Sequence, residues 1–219
     1  MRFFRIAALM TVILAAATSA HAATCAPPKL VHIVLRDVTP GVVAGTYGAQ
    51  PKTFYRVGED KLRVEEGLDR QNGIHELIVV AEPNVWMINL FTNSGRHMVD
   101  PGPTFKTVAP VIGLQGVPKK LAGLELGCEA DFLAANALRP TRHETIHNAD
   151  FAVYQMTDGD DAIELLERSG TKTPAYVRYY HHGKLVTARH YDVFETGLPV
   201  RASLFVPPAG IHITEAGSQ

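Results

Sequence analysis

Short runs in which apolar and polar residues alternate dominate the chain. In segment 61–66, Leu62 and Val64 are apolar while Arg63 and Glu65 are charged, which is typical of a strand with one buried and one solvated face. The turn sequences between these runs are short, so consecutive strands are expected to pair antiparallel. The predicted strands are 29–35, 53–57, 61–66, 74–80, 85–91, 96–99, 142–147, 151–156, 176–182, 185–194 and 200–206. Segment 162–168 fits either a strand or a helix.

The middle of the chain follows a different pattern. Residues 100–118 are rich in proline and glycine, whereas 119–137 carry apolar residues at helical spacing. The helical stripe consists of Leu121, Leu124, Cys128 and Phe132. Gly123 and Gly127 weaken the first half, so we expect a break there. Many strands with one central helical insert predict a mainly β (α+β) fold, in which a curved antiparallel sheet forms a half-open barrel with a helical lid.

The N-terminal segment predicts export. Arg2 and Arg5 precede an apolar run that ends at Ala17, and Ala20-His21-Ala22 fits a cleavage site. The run is too short for a membrane-spanning helix, which needs roughly 20 apolar residues. We therefore predict a signal peptide over residues 1–22, a single mature domain over 23–219, and no stable membrane insertion after cleavage.

The charge balance argues against nucleic acid as a partner. The chain has 21 basic and 22 acidic residues, and loss of Arg2 and Arg5 leaves a net charge of about −3, since 19 − 22 = −3.

The only cysteines are Cys25 and Cys128. Outside the cytoplasm they are expected to form one disulfide, with unpaired thiols or an intermolecular bond as the alternatives.

The sequence His143-Glu144-Thr145-Ile146-His147 has the H-E-x-x-H pattern of zinc hydrolases. That chemistry needs a helix, because only there do residues four apart share a face. Pro140 lies just upstream, and both Thr145 and Ile146 are β-branched, so the segment favours a strand. In a strand the two histidines would lie about 13 Å apart, too far to share one zinc ion.

Two further polar clusters are candidates for metal sites. His181 and His182 lie near a hairpin turn, with His190 several residues beyond the point opposite them. Asp158, Asp160 and Asp161 surround Gly159 but lack the remaining ligands of a calcium loop. We predict surface histidines and a solvated turn, and therefore neither a metal nor a cofactor.

A band of apolar residues recurs on consecutive predicted strands. These residues are Phe54, Leu62, Val64, Leu77, Val79, Trp86, Ile88 and Leu90. They could line one concave face, either as a packed core or as a cavity for an acyl chain.

Six short segments together resemble one known family. They are 53–65, 84–90, 96–100, 144–154 (with Asn148 where the family's turn usually carries glycine), 197–201 and 205–210. Over most of its mature length the chain resembles the periplasmic LolA/LolB-like (outer-membrane lipoprotein-sorting-like) family. The resemblance implies a half-open barrel with a helical lid, and a binding protein rather than an enzyme. It also implies an arginine that contacts the lid, for which Arg56 and Arg63 are both candidates.

These observations lead to one main functional hypothesis and two alternatives. The main hypothesis is a periplasmic protein that holds a lipid or a lipoprotein acyl chain, with another envelope protein as a further candidate partner. The first alternative is a zinc hydrolase using His143, Glu144 and His147. The second is an interaction or sensor module whose barrel is filled and which acts through its surface.

Overall fold

A computed structural model of the protein describes residues 25–216. The predicted signal peptide, residues 1–22, lies outside the described residues. A single curved sheet of 12 strands, not closed into a barrel, carries two short helices on one side. This confirms the predicted fold class. The strands are β1 (Leu30–Asp37), β2 (Lys52–Val57), β3 (Lys61–Glu65), β4 (Glu76–Ala81), β5 (Asn84–Asn89), β6 (Ser94–Val99), β7 (Pro140–Ile146), β8 (Ala149–Asp158), β9 (Asp161–Arg168), β10 (Pro174–His181), β11 (Lys184–Leu198) and β12 (His212–Glu215). Segment 162–168, ambiguous from sequence, lies in β9.

The strand order is β12-β6-β5-β4-β3-β2-β1-β11-β10-β9-β8-β7. Strands β2 to β6 form one half of the sheet and β7 to β11 form the other, and consecutive strands in each half pair antiparallel. Strand β1 joins the halves by pairing with both β2 and β11. Strand β12 is the exception to the antiparallel prediction, since it pairs parallel with β6. The two ends of the sheet are therefore β12 and β7.

Tight turns with left-handed backbone connect the hairpins of the second half. His147 and Asn148 have φ values of 48° and 64°, and they join β7 to β8. His182 and Gly183 have φ values of 49° and 72°, and they join β10 to β11. Two successive residues with positive φ match the twist of antiparallel strands. The predicted strands 176–182 and 185–194 leave a turn at 183–184, and the observed turn lies one residue earlier.

The predicted helix 119–137 is broken, as its glycines indicated. Helix α1 covers Lys119–Ala122, and helix α2 covers Glu129–Ala135. Gly127, in the break, has a φ of 86°, which glycine adopts without strain. The break brings Cys128 to Cys25 with 5.7 Å between their Cα atoms, and the predicted disulfide is formed.

The prediction of a last strand at 200–206 is wrong. Ala202–Phe205 instead forms a 3-10 turn, and strand β12 comes only after Pro207 and Pro208. Proline cannot donate a hydrogen bond to a strand ladder, so paired prolines end any strand before them. Phe205 is buried, and this turn packs against β3 and β4.

Strand β12 depends on a close approach at Gly95. A Cβ atom added to Gly95 would lie 2.8 Å from the carbonyl oxygen of Met87 and 2.9 Å from Cγ1 of Ile88. Ile213 of β12 lies only slightly farther away, at 3.2 Å from the same position.

In residues 25–216, no helix is long and apolar enough to cross a membrane.

Candidate functional site

The sheet is apolar on both faces, and different parts of the chain cover each face. We name residues 101–139 the lid and the sheet face that packs against it the concave face. The core on this side combines side chains of the sheet with side chains of the lid. The opposite, outer face carries two smaller clusters. One lies on β8 to β10, and the other lies on β4 and β5 beneath Ile211 and Ile213.

The eight apolar residues predicted to line one concave face are divided between the two faces. Phe54, Leu62 and Val64 lie on the concave face. The other residues lie on the outer face: Leu77, Val79, Trp86, Ile88 and Leu90. The reason is register, because Val64 pairs with Ile78 rather than with Leu77 or Val79. A shift of one residue moves a whole strand's side chains to the other face.

A continuous apolar row crosses the concave face at right angles to the strands. We define the apolar row by pairing across the sheet: Ile33, Phe54, Val64, Ile78 and Met87. Ile33 is only 1% exposed, the next three side chains are half-buried, and Met87 is 44% exposed. The row therefore passes from the centre of the core to an open half of the concave face on β4 to β6.

The lid fills the central part of the concave face. Its fully buried side chains include Leu121, Leu124 and Leu126, with exposed fractions between 0% and 2%. A short antiparallel bridge, with the Val111 amide donating to the Leu124 carbonyl, holds the lid's two arms together. Helix α1 contacts β8 on the far half of the sheet. The lid thus connects the two halves of the curved sheet by apolar contact.

Arg56 fastens the lid to the sheet. Its guanidinium lies 2.9 Å from the carboxylate of Glu125, which belongs to the lid. It also donates hydrogen bonds to the carbonyl oxygens of Leu126, Thr107 and Cys25, at 3.2, 3.0 and 3.1 Å. The Arg56 side chain is only 1% exposed, so these contacts form in a low-dielectric setting where charge-assisted hydrogen bonds are strong.

Arg63, the other candidate for a lid-contacting arginine, lies elsewhere. It contacts Glu65 at 3.1 Å and the carbonyl of Leu204 in the C-terminal segment at 3.5 Å. Alternation along β3 puts Arg63 on the face opposite Leu62 and Val64. Of these two arginines, Arg56 is the one that contacts the lid.

A buried carboxyl group lies at the start of α2. Glu129 is 1% exposed and accepts a hydrogen bond from the hydroxyl of Tyr191 at 2.9 Å. Its other carboxyl oxygen, Oε2, has no hydrogen-bond partner among the residues that the structure describes. Burial raises the pKa of Glu129 to about 7, and burial together with the neighbouring carboxyl group raises the pKa of Tyr191. No sequence pattern pointed to this pair, because an acidic residue in the first turn of a helix is ordinarily exposed.

Residues 143–146 of the H-E-x-x-H segment lie in strand β7, as predicted. His143 is exposed, and Glu144 is bound by Arg178 at 2.7 and 2.9 Å. The Arg178 hydrogen bond holds the pKa of Glu144 below its ordinary value. His147 lies in the turn beyond the strand. Glu144 is thus ion-paired to Arg178 of β10 on a strand, and not positioned on a helix between two histidines.

The three histidines of the other candidate metal cluster each lie beside one aspartate, and His182 is 3.2 Å from Asp160. His181 lies 2.8 Å from Asp161, and His190 lies 2.6 Å from Asp192. Within residues 25–216, no group of three or more His, Cys, Asp or Glu side chains is arranged to hold a metal ion.

No protein-family model and no curated protein sequence matches the chain. Among solved structures, an uncharacterised conserved protein from Thermus thermophilus has a similar fold, with a TM-score of 0.50 and 13% identity, covering 86% of this chain and 91% of that one. MucB in complex with MucA(peri) matches at a TM-score of 0.40 and 14% identity, over 85% of this chain and 56% of that chain. The LolA superfamily protein NE2245 from Nitrosomonas europaea matches at 0.35 and 11% identity, over 83% and 90% of the two chains. The similarity at a TM-score of 0.50 concerns the fold alone.

Proposed function

We propose that the protein is an exported, periplasmic binding protein that holds an apolar ligand, a lipid or a lipoprotein acyl chain, against the concave face of its sheet. In this proposal the mature protein is the single domain 23–219, and it acts by binding rather than by catalysis. The observation that carries the proposal is the apolar row, which is buried at Ile33 and reaches solvent at Met87. A contiguous apolar surface exposed to water commonly marks a site that a ligand or a partner covers.

The open half of the concave face is the proposed entrance. A bound alkyl chain would first cover Met87 and Ile78, with roughly 0.8 kcal/mol gained for each methylene group removed from water. Methionine suits this position because its flexible thioether adapts to ligands of different shape. Deeper binding would require the lid to move and expose Val64 and Phe54, which contact the lid-covered core.

The disulfide supports the proposed location. A structural disulfide is typical of proteins outside the cytoplasm, where thiols are oxidised. Cys25–Cys128 also fixes the start of α2 beside the first described residues. The lid is therefore attached covalently through Cys128, while Arg56 and apolar contacts hold the rest of it.

Native mass spectrometry of protein purified from the periplasm tests this proposal. We expect a co-purifying lipid, and we expect the protein to bind the fluorescent apolar probe N-phenyl-1-naphthylamine. The substitution Met87→Asp should weaken probe binding by about tenfold or more, because a charge set against an apolar ligand costs more than about 1.4 kcal/mol. The control is Val99→Asp, since Val99 is 59% exposed and lies on the outer side of β6. Equal probe binding by the two variants would contradict the proposed site.

A filled centre favours a second candidate function, an interaction or sensor module acting through its surface. The observation behind it is the set of buried lid leucines that occupy the middle of the concave face. This candidate is supported if no lipid co-purifies and the apolar probe does not bind. In that case another envelope protein would be the partner to seek.

A further inference from the structure

The apolar row ends at Arg96, an arginine whose side chain has no partner in the described part of the chain. Arg96 on β6 pairs directly with Met87 on β5, so the row continues into a guanidinium group on the same face. Arg96 is exposed, and among residues 25–216 its side chain has no hydrogen bond or ion pair. On the same sheet Arg56 and Arg178 both contact carboxylates. The guanidinium group of Arg96 is therefore available to a ligand.

The apolar row is one side chain wide where it leaves the core, at Ile78 and Met87. On one side of it, Val80 and Val85 pack against the lid-covered core. On the other side the paired residues are polar, namely Glu76, Asn89 and Ser94. Adjacent strands lie about 4.8 Å apart, so the apolar row from Phe54 to Met87 is roughly 14 Å long, and a chain of that length occupies it fully once the lid moves off Phe54 and Val64. These dimensions fit one alkyl chain lying across the strands.

The charges around the apolar row favour an anionic end group at Arg96. A guanidinium group binds a carboxylate through two parallel hydrogen bonds. The nearest acid on the same face is Glu76, which lies two strands away, roughly 10 Å across the sheet. Met87, Arg96, His212 and Thr214 line one shallow groove. Glu215 faces the other way and contacts His97 at 2.8 Å.

We propose that Arg96 binds the carboxylate of a long-chain fatty acid whose alkyl chain lies along the apolar row. This inference rests on the proposed function and specifies the class of ligand for the same face. The carboxylate lies at the open edge beside β12, and the methyl end points towards the lid. Arg96 thus distinguishes an anionic amphiphile from a neutral one of the same length.

Dodecanoate and dodecanol, both below their aggregation concentrations, are the probes for this site. The wild-type protein should bind dodecanoate tighter than dodecanol by about tenfold, the order expected for one charge-assisted contact. The variant Arg96→Gln should lose that preference while keeping its affinity for dodecanol. Arg201→Gln is the matched control, because Arg201 is also exposed but lies in the C-terminal segment. It should bind both compounds as the wild type does.

The possible outcomes distinguish the carboxylate site from the proposed function on which it rests. Equal binding of the two compounds by the wild type, or an unchanged preference in Arg96→Gln, overturns the carboxylate site and leaves the apolar site standing. Failure of the wild type to bind either compound overturns the proposed function and the carboxylate site together. Thermal unfolding of Arg96→Gln should match the wild type, because the side chain is exposed.

Discussion

Replacing Arg56 by methionine tests the attachment of the lid. The substitution keeps much of the side-chain volume but removes the contact with Glu125 at 2.9 Å and three hydrogen bonds to backbone carbonyls. Removing one partner of a buried ion pair costs about 3–5 kcal/mol. Glu125 keeps a hydrogen bond from the Ala109 amide at 3.1 Å, so we expect a loss near the lower end, about 3 kcal/mol.

Urea unfolding followed by circular dichroism, with the disulfide intact, measures this loss directly. For a domain of this size a loss of about 3 kcal/mol corresponds to a fall in Tm of roughly 6–12 °C. Arg63→Met is the matched control, because Arg63 makes a weaker set of contacts outside the lid. Its cost should be about 1 kcal/mol. An Arg56→Met cost below about 1 kcal/mol, or no greater than that of Arg63→Met, would refute the reasoning.

Three further predictions concern stability. Reduction of Cys25–Cys128 should lower the free energy of unfolding by about 4 kcal/mol, because the bond joins residues 103 apart in sequence; an unchanged urea midpoint in dithiothreitol would contradict this. The raised pKa of Glu129 means that its folded form retains a proton that the unfolded form releases. Stability should therefore fall as pH rises from about 4.5 to about 7, and Glu129→Gln should fall less steeply over that window; parallel urea-unfolding curves for the two proteins would count against the assignment. Gly95→Ala should cost about 1–3 kcal/mol through overpacking, whereas Gly113→Ala should be nearly neutral, since a Cβ at Gly113 meets nothing within 4 Å; similar urea midpoints for the two variants would be inconsistent with the close approach at β12.

Strand positions could be predicted from sequence because each hairpin carries a local signal. The pairing of β4 with β5 also follows from a short turn, which places Leu77 opposite Ile88 and Val79 opposite Trp86. These pairs were correctly grouped. The assignment of these four residues to the concave face was wrong, because the connection between β3 and β4 sets which face of β4 points towards the lid.

The face of β4 could not be predicted because of the longer connection between β3 and β4. Within this connection Asp69 pairs with Ile74, and continuing that register would place Glu65 opposite residue 78. The strands instead pair Glu65 with Leu77, so the register shifts by one residue between the bridge and the strands. An offset of one residue reverses which side chains face the lid. The sequence of β4 is apolar at four successive positions, so alternation could not correct the error. Ile78 and Met87 were missed for this reason.

The arginine that holds the lid also could not be identified from the sequence. Arg56 and Arg63 both lie in half-buried strands with similar alternation, and only long-range contacts separate them. The carbonyl groups that bind Arg56 belong to Cys25 and, within the lid, to Thr107 and Leu126. Contacts across such long stretches of chain leave no periodic pattern in the sequence.

Photo-crosslinking with a diazirine-bearing fatty acid tests most directly whether the concave face holds an alkyl chain. Residue-level mass spectrometry should find crosslinks at Val64, Ile78 and Met87, and excess unlabelled dodecanoate should remove them. Crosslinks at the outer-face residues Leu77 and Trp86, or labelling that dodecanoate does not displace, would contradict the account. The two faces alternate along the same strands, so a single labelled peptide distinguishes them.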